Sequence, residues 1–126
     1  MNLSAASGIV LAAGASVATA QGDPSSAAQA VIAACLAEGE SPASCAGRAE
    51  QDCLETSEAY AHAPNPNTRR EWCVRAETRA FLALFPGSAI PWQNCALEDV
   101  EAASLRHLEE AICARDALIK RLEAEE

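Results

Sequence analysis

Apolar side chains along this chain recur at helical spacing, and nowhere do they alternate as they would in a strand. Asp23-Pro24 opens the first such segment, with aspartate placed to cap a helix and proline suited to its first turn. Ala28, Val31, Ile32 and Cys35 then share one face, and Gly39 closes the helix, because glycine accepts the left-handed conformation common at helix ends. Ser41-Pro42 begins a second helix by the same device, predicted to run through Cys45, Ala49 and Cys53 to Tyr60. The stretch AHAPNPN, Ala61 to Asn67, is a loop by its prolines and asparagines. Asn65-Pro66 can open a third helix, covering Arg69 to Phe85 and stopped by Pro86-Gly87-Ser88. Glu71 and Arg75 support it, four residues apart in the more favourable order. From Ala96 to Glu126 neither Gly nor Pro occurs, and Leu105, Leu108, Ile112, Ile119 and Leu122 recur at helical spacing. Asp116 with Lys120 adds another favourable pair, so propensity alone makes this segment one long helix.

The six cysteines sharpen that picture. In an antiparallel helical hairpin, residues equally far from the turn lie opposite each other. Cys35 and Cys45 are symmetric about Glu40, inside the Gly39–Ser41 turn, and Cys53 and Cys73 are symmetric about Ala63, inside the proline loop. Both turns follow from Gly, Pro and Asn, so the agreement with the cysteines is independent. Cys95 and Cys113 are symmetric about Ser104, and there two signals conflict. An unbroken helix would hold them about 27 Å apart at ~1.5 Å per residue, whereas a disulfide needs Cα atoms within about 7 Å. Either the helix breaks near Ala102–Ser104, with Ser104 capping the next one, or the pairing differs. The expected architecture is all-α, a small disulfide-stapled bundle of helical hairpins. Cys35-x9-Cys45 matches half of a twin CX9C hairpin, but no second copy exists, and Gly39 and Pro42 interrupt the helix such a motif requires. Zinc sites want close CxxC pairs or Cys/His clusters, and the sequence has neither, so no metal or other cofactor is expected.

Composition explains why staples are needed. Half the residues are hydrophobic but only 4% are aromatic, so the apolar content is largely alanine, which buries little area. A disulfide closing a short loop adds roughly 2–4 kcal/mol against a typical total of about 5–15 kcal/mol. Such cysteine usage belongs to oxidising compartments, and the expected location is periplasmic or secreted. Met1 to Ala20 carry no charged side chain, with an apolar run GIVLAAGASVA and then Ala18-Thr19-Ala20, the small-x-small pattern that signal peptidase accepts. Residues 1–20 are therefore expected to be a cleaved signal peptide and residues 21–126 a single disulfide-rich helical domain. The apolar run is too short to span a bilayer, which takes about 20 residues.

The net charge of −9 comes from 18 acidic against 9 basic side chains. That balance argues against nucleic acid and against anionic membrane surfaces, and it would attract a basic protein. Catalytic chemistry finds no footing. His62 stands in the loop and His107 in the last helical region, neither beside a nucleophile in a recognisable motif. Glu109-Glu110 and Glu125-Glu126 are adjacent in sequence and diverge on a helix. No enzyme is expected. Trp72, next to Cys73, is expected to pack on a disulfide, and Trp92, between Pro91 and Cys95, is placed to anchor a partner or to plug the core.

The string Cys45-Ala46-Gly47-Arg48-Ala49 through Cys53, then Cys73-x3-Glu77-x3-Phe81, resembles the lysozyme-inhibitor LprI-like family of bacterial envelope proteins. Cys95, Ser104, Cys113 and the following Ala114-Arg115 look like that family's final cysteine pair around a Gly-Gly-Ser turn. Here Ala102-Ala103 stand in place of the glycines, Phe81 in place of a tryptophan, and the short LALFPGSAIPW replaces the family's Leu-Asn-x-x-Tyr segment and Gln-Arg-x-x-Trp helix. The resemblance implies a cysteine-rich α-helical periplasmic protein, the Cys95–Cys113 pairing with its break at Ser104, and, as in some members, inhibition of lysozyme. The expected function is thus a non-enzymatic binding protein that inhibits lysozyme-type muramidases. Trp92, Glu98, Asp99 and Glu101 are its candidate contacts with the basic partner. The alternative is a structural or assembly protein of the cell envelope with no lysozyme contact.

Overall fold

The computed structural model describes residues 23–88, 95 and 102–125. Among the described residues there are four helices and no strand: α1 (Pro24–Ala37), α2 (Pro42–Thr56), α3 (Pro66–Leu84) and α4 (Ala103–Ala124). The expected signal peptide lies outside the described residues.

Three of the four helices start on one design, a polar cap followed by proline. Asp23 accepts a hydrogen bond from the Ser25 amide, Ser41 Oγ from Ser44, and Asn65 Oδ1 from Thr68, each satisfying an amide that the first turn leaves unpaired. At the end of α1, Gly39 takes φ +91°, its amide donates to the Leu36 carbonyl, and the Glu40 amide donates to the Cys35 carbonyl. That is a Schellman turn, and it reverses the chain directly into α2.

α2 stops at Thr56, four residues short of the expected Tyr60. The chain turns there because Tyr60 is drawn back to meet Trp72 on α3, edge-on with ring centroids 5.5 Å apart. The Arg69 guanidinium donates to the Leu54 carbonyl and holds the same corner. α3 begins at Pro66, before the expected Arg69, and includes the expected Glu71–Arg75 pair at 2.6 Å.

The final segment is not one helix from Ala96. α4 starts at Ala103, with Ala102 extended at φ −71°, ψ 114°. The physical reason is the bridge: Cys95 and Cys113 stand 5.7 Å apart at Cα, which a continuous helix cannot provide. Ser104 does not cap α4, because the capping position falls at Ala102, whose side chain has nothing to offer. Asp116, expected to pair with Lys120, instead accepts from its neighbour Arg115 at 3.1 Å.

α3 packs against all three other helices and forms the centre of the bundle. Phe81, Ile32 and Leu118 meet in the core, with Ala28, Ala46, Ala49 and Ala80 letting the helices approach closely around them. The other two bridges hold α1 to α2 (Cys35–Cys45, Cα 5.6 Å) and α2 to α3 (Cys53–Cys73, Cα 5.8 Å). All three pairings are those expected, and no described cysteine is free. No helix among the described residues is long and apolar enough to cross a membrane.

Candidate functional site

The densest chemistry in the bundle sits where α2, α3 and α4 meet. Glu50 is half-buried on α2, one position past the buried Ala49. Glu77 on α3 follows Cys73 by four residues and precedes Phe81 by four, so helical geometry turns it inward with those buried neighbours. Arg115 on α4 lies between the buried Ala111 and Ile119 by the same spacing.

Arg115 Nη1 donates to both carboxylates, to Glu50 Oε1 at 2.5 Å and to Glu77 Oε1 at 3.0 Å. Its Nε donates to Asp116 Oδ1 at 3.1 Å. Glu50 is held a second time, its Oε2 accepting from Arg70 Nε at 2.7 Å. Glu77 is the odd member, at 0% exposure and with no hydrogen-bond partner for Oε2.

These environments push the two carboxyls apart. Burial works to raise the Glu50 pKa, but the hydrogen bonds from Arg115 and Arg70 outweigh it, and the net shift is downward. Burial drives Glu77 up to about 8, since attraction to Arg115 offsets only part of the desolvation and the charge on Glu50 adds to it. Burial also opposes the charge on Arg115, yet the carboxylates around it, Glu50 foremost, raise its pKa further. The result is a three-helix charge knot sealed from solvent at Glu77. Glu77 has no exposed surface, while Glu50 and Arg115 keep a little, so the knot ties the three helices together from inside the bundle.

Beside the knot, α2 and α4 leave a shallow groove of about 340 Å³, floored by Ala46 and Ile119 and edged by Lys120 and Glu123. Glu123 closes one end, its Oε2 accepting from the Ala43 amide at 3.2 Å at the start of α2. Glu40 Oε1 accepts from Ser44 Oγ at 3.4 Å, and Glu38 pairs with Arg48 at 3.1 Å. The α1–α2 turn and the end of α4 thus bring Glu38, Glu40 and Glu123 to one end of the bundle.

The expected partner contacts Trp92, Glu98, Asp99 and Glu101 lie outside the described residues. His62 is exposed in the loop, and His107 is exposed with Nδ1 3.8 Å from Glu110. Trp72 is only half-buried and faces Tyr60. Among the described residues, no three His, Cys, Asp or Glu side chains are grouped to hold a metal ion. The knot itself escaped sequence reasoning. The signal that could have found it was Glu77, midway between Cys73 and Phe81 on one helix face. Comparison of the chain with protein-family models, with curated proteins and with solved structures returned no match.

Proposed function

We propose that this chain is a non-enzymatic binding protein of an oxidising, periplasmic or secretory compartment, and that its partner is a basic protein of the lysozyme-type muramidase class. The observation that carries this reading is the set of three disulfides, each closing one connection in an alanine-rich bundle. Disulfides of this density are consistent with a secreted or extracellular protein. The net charge of −9 supports a cationic partner. The muramidase class comes from the LprI-like resemblance, and Trp92, Glu98, Asp99 and Glu101 are the proposed contacts.

The test is lysis of peptidoglycan by lysozyme in the presence of the oxidised mature chain, at low and moderate salt, beside a reduced control. Inhibition is expected at low salt, weaker at moderate salt because charge steering is screened, and absent after reduction. Neutralising Glu98, Asp99 and Glu101 together is expected to weaken it as salt does. Lysis unaffected at every salt concentration would sink the muramidase reading and favour a structural or assembly role with another envelope protein.

A further inference from the structure

We infer that the Glu50–Arg115–Glu77 knot is a proton-dependent clamp, in which Glu77 stays a neutral carboxylic acid while α2, α3 and α4 are packed, and the clamp weakens as pH rises because unfolding releases that proton. This device is independent of any partner and belongs to the fold.

The geometry assigns the proton to Glu77. Both oxygens of Glu50 accept charge-assisted hydrogen bonds, one from Arg115 and one from Arg70, which is the arrangement of an ionised carboxylate. Glu77 has one such bond, and it shares that donor nitrogen with Glu50. Its second oxygen is buried without a partner. Two anions converging on one guanidinium nitrogen repel each other, and losing one charge relieves that repulsion.

Magnitudes point the same way. Leaving a neutral hydroxyl buried without an acceptor costs less than burying an ionised carboxylate that is only partly compensated. The charged groups facing Glu77 are Glu50 from α2, Arg70 on its own helix, and Arg115, with Asp116 behind it, from α4. α1, PSSAAQAVIAACLA, brings no charged side chain at all.

The sign follows from linkage. The Glu77 pKa rises from 4.5 to about 8 on folding, so between those values the native state holds a proton that the unfolded chain has released. Stability from this group is full below about 4.5 and is lost as pH rises through about 8.

The experiment is chemical denaturation of the oxidised chain and of Glu77→Gln, a permanently neutral side chain of the same shape, from about pH 5 to about pH 9. Relative to Glu77→Gln, the unfolding constant of the native sequence is expected to rise by up to about tenfold per pH unit until about pH 8, the slope of a single proton, and then to level off. Parallel profiles for the two proteins would overturn the clamp. A second readout needs no variant: carboxyl-carbon NMR of the native chain should show Glu77 titrating well above the ordinary glutamate range. A Glu77 midpoint at or below 4.5 would overturn it even if Glu77→Gln failed to fold.

Discussion

Arg115 carries more than its own share of the knot, because one nitrogen serves carboxylates from two other helices. Arg115→Ala would leave Glu50 with Arg70 alone and Glu77 with no donor. Glu50 keeps Arg70 and Glu77 is neutral near neutral pH, so the loss is that of buried polar groups left unpaired, about 1–3 kcal/mol, read from the urea midpoint near neutral pH. Part of the loss should be recovered by Arg115→Ala combined with Glu77→Leu, which removes the stranded carboxyl together with its donor. Glu50 adds a pH signature of opposite sign to that of Glu77. Its pKa is lowered on folding from 4.5, so its contribution is present above that value and lost as pH falls through its folded pKa. The contribution of the knot should therefore peak in mildly acidic solution. These roles depend on three helices meeting, and sequence spacing reports only pairs within one helix, such as Glu71–Arg75. Glu50 and Arg115 therefore read as ordinary charged positions until the bundle is assembled, and only the inward spacing of Glu77 hints at the knot.

At the scale of elements, the helix starts show what local chemistry decides. Asp23-Pro24, Ser41-Pro42 and Asn65-Pro66 are legible because cap and proline act through backbone geometry alone, and each cap makes its hydrogen bond. α4 is the contrasting case. Nothing local stops a helix across Ala96 to Ala103, and only the symmetry of Cys95 and Cys113 about Ser104, with the family resemblance, announced the break. Ser104 falls two positions past Ala102, inside the first turn, where its hydroxyl cannot replace the missing cap. Ala102→Ser restores that acceptor and is expected to stabilise the protein by about 1 kcal/mol, read as a rise in the thermal midpoint of the oxidised chain. No gain would mean that the first turn of α4 is already satisfied by other groups. α2 ends at Thr56 for a tertiary reason, since no residue between Thr56 and Tyr60 breaks a helix as proline would. The contact between Tyr60 and Trp72 overrides propensity there.

For the molecule as a whole, the bridges divide the task of holding a thin core. Each acts on the unfolded chain by closing a loop, and the separations are 10, 20 and 18 residues. Loop-closure entropy grows with the logarithm of length, so doubling the loop adds only about 0.6 kcal/mol. Replacing a cysteine pair by alanines should cost roughly 2–4 kcal/mol in each case. Loss of Cys53–Cys73 or Cys95–Cys113 should exceed loss of Cys35–Cys45 by about 0.6 kcal/mol. Packing pulls against that order. Cys35 and Cys45 are both fully buried beside Ile32 and Ala46, whereas Cys113 is only half-buried, so alanine at the first pair also opens a void in the core. Urea denaturation of the three double variants separates the two effects. Costs that follow loop length would show the bridges acting through the unfolded chain. A largest cost at Cys35–Cys45 would show that the sulfurs matter more as core atoms, in a bundle whose alanines leave few other large side chains to fill it.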